Sequence, residues 1–183
     1  LYDSWVTTGA EDNYMNAVSG FIMEDALAVF DQGNELATSD GAIGQTGAMT
    51  VTGATTLAAG ANAITLGDGA NDFQSTVSAT GSKVALKDGT GGLTLGNVTA
   101  AGTLAATSTA GAITQAAGTS IAVDGATTLE SSDGGDPATD HDITLDGADN
   151  DFVGTVTATA KDVTLADTNA LTAALKASGD STL

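Results

Sequence analysis

One long stretch of the chain occurs twice, and this limits what it can fold into more than any other feature. The stretch ITLGDGANDFQSTVSATGSKVALKD (Ile64 to Asp88) returns as ITLDGADNDFVGTVTATAKDVTLAD (Ile143 to Asp167). Ile64, Leu66, Phe73, Val77, Val84, Leu86 and Asp88 thus recur as Ile143, Leu145, Phe152, Val156, Val163, Leu165 and Asp167. A second match sets GAIGQTGAMTVTGATTL (Gly41 to Leu57) against GAITQAAGTSIAVDGATTL (Gly111 to Leu129), with Gln45 over Gln115 and Gly53 over Gly125. Repetition at a fixed period specifies architecture, because each unit buries its apolar side chains only against the next.

A finer period lies inside the large one. Ile64, Val84, Leu104, Val123, Ile143, Val163 and Leu183 follow one another at roughly 20 residues, so the large repeat reads as four turns of a smaller one. Around them lie triplets such as Ile64-Thr65-Leu66 and Val163-Thr164-Leu165, apolar at i and i+2 on one strand face. A second file, Phe73, Leu93, Ile113, Phe152 and Leu171, runs half a coil out of phase. The pattern predicts an all-β fold, a single parallel β-solenoid over residues 1–183 with about 20 residues per rung. Residues 1–63 form a diverged first repeat or an N-terminal cap, 64–142 the second repeat and 143–183 a partial third. Asp-Gly, Gly-Ala and Asn-Asp clusters supply the corners. At about 4.8 Å per strand spacing, roughly nine rungs would make a rod about 40 Å long.

The stretch from Leu1 to Phe30 admits two readings. Tyr14, Val18, Phe21, Ile22 and Val29 fall near one helical face. Laying Ser4 to Ser19 on Asp142 to Thr157, however, puts Trp5 on Ile143, Gly9 on Gly147, Tyr14 on Phe152 and Val18 on Val156 without a gap. A worn copy of the repeat accounts for more of the stretch than a capping helix does.

The composition narrows the partners. The formal net charge is −19, with Lys83, Lys87, Lys161 and Lys176 as the only cations and no Arg. Such a chain repels phosphate backbones and anionic lipid, so neither nucleic acid nor membrane insertion is expected. With no Cys, disulfides, thiolate metal sites and Cys nucleophiles are excluded. No segment reads as a signal peptide or an apolar span, as would also be true of an excised piece of a secreted protein.

The repeat DITLDGADNDFVGTVTATAKDVTLADTNALTA, with GAITQAAGTSIAVDGATTL, resembles repeats of large bacterial exoproteins of the filamentous haemagglutinin type. The resemblance runs from about Gly41 to Leu183 and is weak before that. It implies a secreted, right-handed parallel β-helix serving surface attachment, aggregation or biofilm. Its motif is turn and strand chemistry, so it brings no catalytic residues with it.

Candidate sites are few. The corners Asp68, Asn71 and Asp72 in one copy, and Asp146, Asp149, Asn150 and Asp151 in the other, could supply oxygen ligands to calcium, although Asx-turn chemistry alone explains them. The stretch Ser131 to Asp142 holds the only Pro, Pro137, the only His, His141, and Asp133, Asp136, Asp140 and Asp142; it reads as a solvated loop or a second weak calcium candidate. His141 has no partner in sequence for a zinc site. Gln45 and Gln115 suit an internal hydrogen-bonding ladder. Tyr2, Trp5, Tyr14, Phe21 and Phe30 are five of the seven aromatics. With Leu183 at the far end they suggest head-to-tail self-association, as aromatics are enriched in interface cores and solenoid ends are open sheet edges.

No acid–base pair, nucleophile or cofactor motif emerges, and no enzymatic activity is expected. The leading expectation is an extracellular structural protein of a bacterial surface: an adhesin segment, or the subunit of a surface or matrix filament. Host or matrix glycans and proteins are its other expected partners. A carbohydrate-binding or carbohydrate-cleaving β-helix is the alternative, and an ice-binding solenoid, which needs regular Thr arrays on a flat face, is a third.

Overall fold

The computed structural model describes residues 21–23, 26–31, 34–39, 41–132 and 140–183. Among them the chain forms strands and no helix. The first strands are β1 (Phe21–Met23), β2 (Ala26–Asp31) and β3 (Asn34–Ser39). Then come β4 (Ile43–Gln45), β5 (Thr50–Val51), β6 (Thr55–Ala58), β7 (Ala63–Leu66) and β8 (Asp72–Phe73). Two long strands follow, β9 (Thr76–Asp88) and β10 (Leu93–Ser108). After them are β11 (Ile113–Gln115), β12 (Ile121–Val123), β13 (Thr127–Ser131), β14 (Ile143–Leu145) and β15 (Asp151–Phe152). The last are β16 (Val156–Ala160), β17 (Val163–Leu165), β18 (Ala173–Ala177) and β19 (Ser181–Thr182).

From β4 onward these strands make two walls around one core, except β5 and β8, which pair parallel with each other in a small separate sheet. Wall 1 stacks β4, β7, the Lys83–Asp88 half of β9, the Thr103–Ser108 half of β10, β13, β16 and β18. Its inward residues Ile43, Ile64, Val84, Leu104, Thr127, Val156 and Ala173 are successive register partners. Wall 2 stacks β6, the Thr76–Gly81 half of β9, the Leu93–Ala100 half of β10, β11 with β12, β14 with β15, β17 and β19. Every pairing in both is parallel, and the chain alternates between walls through about seven turns, fewer than the nine the spacing predicts. The fold is the expected parallel β-solenoid.

The alternation of side chains makes the walls. In β9, Val77, Ala79, Val84 and Leu86 are at most 2% exposed, while Ser78, Thr80, Lys83 and Ala85 are less buried and face out. Each buried Val, Leu or Ile contributes about 1.5–3 kcal/mol relative to exposure. Ile64 and Leu66 are fully buried because Val84 and Leu86 lie directly over them and Ile43 lies below Ile64. No rung can bury its own core; the neighbour does it.

The register corrects the length of the repeat in turns. Ile64 stands in wall 1, but its copy Ile143 stands in wall 2, on Ile113 and beneath Val163. Between them the chain crosses wall 1 at Val84, Leu104 and Thr127, so one period makes three and a half turns, not four. The expected file therefore divides. Ile64, Val84 and Leu104 are stacked as expected, but Thr127 and not Val123 continues them; Val123 pairs with Phe152, and Val163 with Ser181 and not Leu183. The cause is unequal corners. The steps from Leu104 to Thr127 and on to Val156 are longer than the step from Val84 to Leu104, because the connections after Gln115 and Ser131 are long.

The N-terminal strands depart from the parallel pattern. β1 runs antiparallel on β4, and β2 pairs antiparallel with β3, which lies parallel on β6. Phe21, Ile22 and Val29 are thus in strands, not on a helix. Trp5, Tyr14 and Val18 lie outside the described residues.

Candidate functional site

The sequence duplication produces a duplicated polar bracket inside the solenoid. At the end of β4, Gln45 Nε2 donates to Asn71 Oδ1 at 2.8 Å while Asn71 Nδ2 donates to Gln45 Oε1 at 3.0 Å. At the end of β11, Gln115 and Asn150 repeat the pair at 2.8 and 2.9 Å. Each Asn also accepts a backbone N–H through Oδ1, from Met49 at 3.0 Å and Ile121 at 2.9 Å. Each Gln oxygen accepts the corner N–H of the neighbouring rung, from Asp68 or Gly147, both at 3.0 Å. Asn71 and Asn150 have no exposed surface, so these bonds satisfy amides that would otherwise be costly to bury. Gln45 and Gln115 are therefore internal hydrogen-bonding residues, each clamped to an Asn one rung away and not to each other. The recurrence of Asn71 as Asn150, at corners where a turn or a calcium ligand was expected, was the signal for the missing partner.

A second duplicated device closes the rung above. Asp88 Oδ2 accepts the Phe73 N–H at 3.0 Å and its Oδ1 the Thr90 N–H at 2.8 Å; Asp167 Oδ1 accepts the Phe152 N–H at 2.9 Å. Each carboxylate stands where a strand carbonyl would otherwise pair. Burial raises the Asp88 pKa above its ordinary 3.8, against the lowering effect of its two N–H donors.

Three of the five Asp candidates for calcium accept hydrogen bonds from the chain itself, and only Asp68 does so in an Asx turn. Asp68 Oδ1 accepts the Ala70 N–H at 2.9 Å, Asp72 accepts from Gln74 Nε2 at 2.7 Å, and Asp151 from Asn169 Nδ2 at 2.8 Å. Asp146 and Asp149 are exposed. Among the described residues no three His, Cys, Asp or Glu side chains are grouped as a metal ion would require. Near β14, Lys161 Nζ lies 3.1 Å from Asp162 and 3.6 Å from Asp142. The Asp162 pKa is lowered, first by the Asp180 N–H and then by Lys161, whose own pKa rises beside Asp162 and Asp142. Of the self-association candidates, Phe21 and Phe30 lie in β1 and β2, Leu183 is 67% exposed, and Tyr2, Trp5 and Tyr14 are outside the described residues, as are Asp133, Asp136 and Pro137.

The outer surfaces of the two walls differ. In wall 2 the outward residues Thr76, Thr94, Thr114, Thr144, Thr164 and Thr182 are successive register partners, with Thr94 and Thr114 hydroxyls 3.1 Å apart. The matching outward file of wall 1, Thr65, Ala85, Ala105, Thr128, Thr157 and Ala174, is mixed. Wall 1 also carries Lys83, Lys87, Glu130 and Lys176.

Comparison with curated proteins and with solved structures returns no match. A family described as repeats of unknown function (DUF5649) matches residues 24–80 and 81–159. The second match is as long as the sequence period, and its end at Thr159 closes the half-turn beyond wall 2. With well over half of its length matched, and with one period visible in sequence, in hydrogen bonding and in strand register, the chain belongs to the DUF5649 repeat family.

Proposed function

We propose that this protein is a non-enzymatic structural element of a bacterial surface, a β-solenoid segment of an extracellular adhesin or the subunit of a surface or matrix filament. The observation that carries this reading is the parallel rung-on-rung stacking of both walls over a single continuous core. Such a stack lengthens by adding repeats without changing its cross-section, which is what a spacer or arm requires. The resemblance of the Gly41 to Leu183 repeats to filamentous haemagglutinin-type exoproteins supports an extracellular site, and the net charge of −19 argues against nucleic acid as a partner. Host or matrix glycans and proteins are the partners this reading implies.

Of the two versions, the adhesin segment is favoured. In head-to-tail assembly the last rung of one copy would have to meet the first rung of the next, yet β4 already pairs with β1 and β6 with β3. Electron microscopy of the purified chain tests this. Isolated short rods over a wide concentration range are expected; long filaments would transfer the assignment to a self-assembling subunit, and particles without a rod shape would sink both versions.

A further inference from the structure

One residue of wall 2 is displaced from the alternation that governs its neighbours. At the start of β10 the inward residues are Leu93 and Leu95, and strict alternation would put Asn97 inside the core. Instead Leu95 and Gly96 are both buried, and Asn97 and Thr99 are exposed while Val98 and Ala100 point inward. The register shows the cause. Leu95 pairs with Val77 and Val98 with Ala79, so Gly96 and Asn97 together stand opposite Ser78. This is a β-bulge, which re-aims the side chain beside it. Its first residue has to be Gly, since a Cβ there would collide with the Ser78 hydroxyl and the Thr76 methyl group.

The bulge also fixes the Asn97 amide. Asn97 Oδ1 accepts the Ser120 N–H of the next rung at 3.0 Å. A backbone N–H only donates, so the amide oxygen is the end that is tied down and Nδ2 is the end left free. Among the described residues Nδ2 has no hydrogen-bond partner. Thr99 lies two residues on, on the same outward face. Its register neighbours Thr80 and Ala122 are small and leave the space above it open.

Asn97-Val98-Thr99 is an Asn-x-Thr sequence, and no other Asn of the chain is followed two residues later by Ser or Thr. By itself the pattern carries little weight in a chain so rich in Thr. The fold adds three independent conditions: the Asn is pushed out of the core, its nitrogen is unengaged, and the hydroxyl stands on the same face.

We propose that Asn97 is a site of N-linked glycosylation. In the transfer, Nδ2 attacks the anomeric carbon of a sugar activated as a nucleotide-linked or lipid-linked diphosphate. The new N–C bond forms as the bond from that carbon to the diphosphate oxygen breaks. The diphosphate leaves with the electron pair, and a base of the transferase takes one of the two Nδ2 protons. Oδ1 takes no part, so the bond to Ser120 survives in the product. The sugar projects from wall 2 and solvates that side of the rod. The rival explanation is that Asn97 serves only as the acceptor for Ser120. Asp would accept that bond equally well, and the acceptor role makes no demand on Thr99. This inference goes beyond the structural role and does not depend on whether the chain is an adhesin segment or a filament subunit.

Mass spectrometry of the whole chain isolated from the cells that make it tests the proposal, with electron-transfer fragmentation to keep each sugar on its residue. Most molecules are expected to carry a sugar on Asn97. Asn97→Asp and Thr99→Ala, expressed in the same cells, are expected to lose it completely, and Thr99→Ser to keep it. Thermal melts of Asn97→Asp should match those of unglycosylated wild type, because the Ser120 bond is retained. A sugar already present on chain in the cytosol identifies a nucleotide-linked donor, and one found only on exported chain a lipid-linked donor. A bare Asn97, a sugar that persists in Thr99→Ala, or sugars confined to Thr hydroxyls would overturn the proposal. Short rods in the microscope from chain with a bare Asn97 would refute it without touching the structural reading.

Discussion

At the scale of the residue, stability is concentrated in a few buried polar groups. Asn150 satisfies the Gln115 amide, the Ile121 N–H and the Leu145 carbonyl, the last at 3.2 Å. Asn150→Ala should therefore leave several buried partners unmatched and destabilise the protein by about 2–4 kcal/mol. Asn71→Ala should do the same, and denaturant unfolding of both would expose any asymmetry between the copies. Thr127 is the opposite case. It is 1% exposed, its hydroxyl has no partner, and it lies between Leu104 and Val156 in the core file. Thr127→Val is expected to raise stability by about 1 kcal/mol, read as a higher urea midpoint with an unchanged slope. Asp88 ties stability to pH. Because burial raises its folded pKa above 3.8, its contribution is fully present below that unfolded value and is lost as pH rises through the folded one. Urea midpoints of wild type and Asp88→Asn should thus diverge in favour of wild type as pH falls from about 7 toward about 4; a constant difference would contradict the assignment.

At the scale of the element, the corners decide whether rungs can approach. Gly102, Gly125 and Gly154 each stand two residues before a wall 1 core residue, Leu104, Thr127 or Val156, and are stacked on one another. A Cβ on Gly125 would collide with the Gly102 carbonyl, and one on Gly154 with the Gly125 carbonyl. These atoms are backbone and cannot swing aside, so Gly125→Ala should force two rungs apart and cost about 2–3 kcal/mol. Gly118 is a useful contrast. Its φ of 76° disfavours a side chain although nothing lies within 4 Å, and Gly118→Ala should cost only about 1 kcal/mol of backbone strain. Thermal melts of the two variants separate the effects. Much at this scale was legible beforehand. The alternating triplets gave the strands and the direction of Ile64, Leu66, Val84 and Leu86, because side-chain alternation is a local property of extended chain. The partner of each rung was not legible, because Val123 and Thr127 can each fill a core place and only corner length decides between them. The bracket was half legible: Gln45 and Gln115 stood out as a pair, but a buried Asn and a turn Asn look the same in sequence.

At the scale of the whole molecule, a period of three and a half turns makes successive copies face opposite ways. Any feature of one copy reappears on the other side about 17 Å further along, and returns to its own side only after two periods. A longer array would thus show each repeat motif alternately on its two walls, which suits an element that must engage neighbours on both sides of its axis. The geometry has a direct test, because an integral repeat and a half-integral one place different residues next to each other. Thr144 is the copy of Thr65, yet it stacks on Thr114 and beneath Thr164, while Thr65 stands in the opposite wall beside Ala85. Cysteines are easily read in a chain that has none of its own. Thr114→Cys with Thr144→Cys should be joined in high yield by a bifunctional thiol reagent of about 5 Å, the spacing of adjacent strands. Thr65→Cys with Thr144→Cys should resist the same reagent, since the core and some three rungs lie between them. If the repeat made four whole turns, Thr144 would stand in wall 1 with Thr65, and Thr128 would replace Thr114 as the residue next to it. Efficient joining of Thr128→Cys to Thr144→Cys, with none between positions 114 and 144, would therefore require the integral repeat and remove the two-sided display that follows from the half-turn.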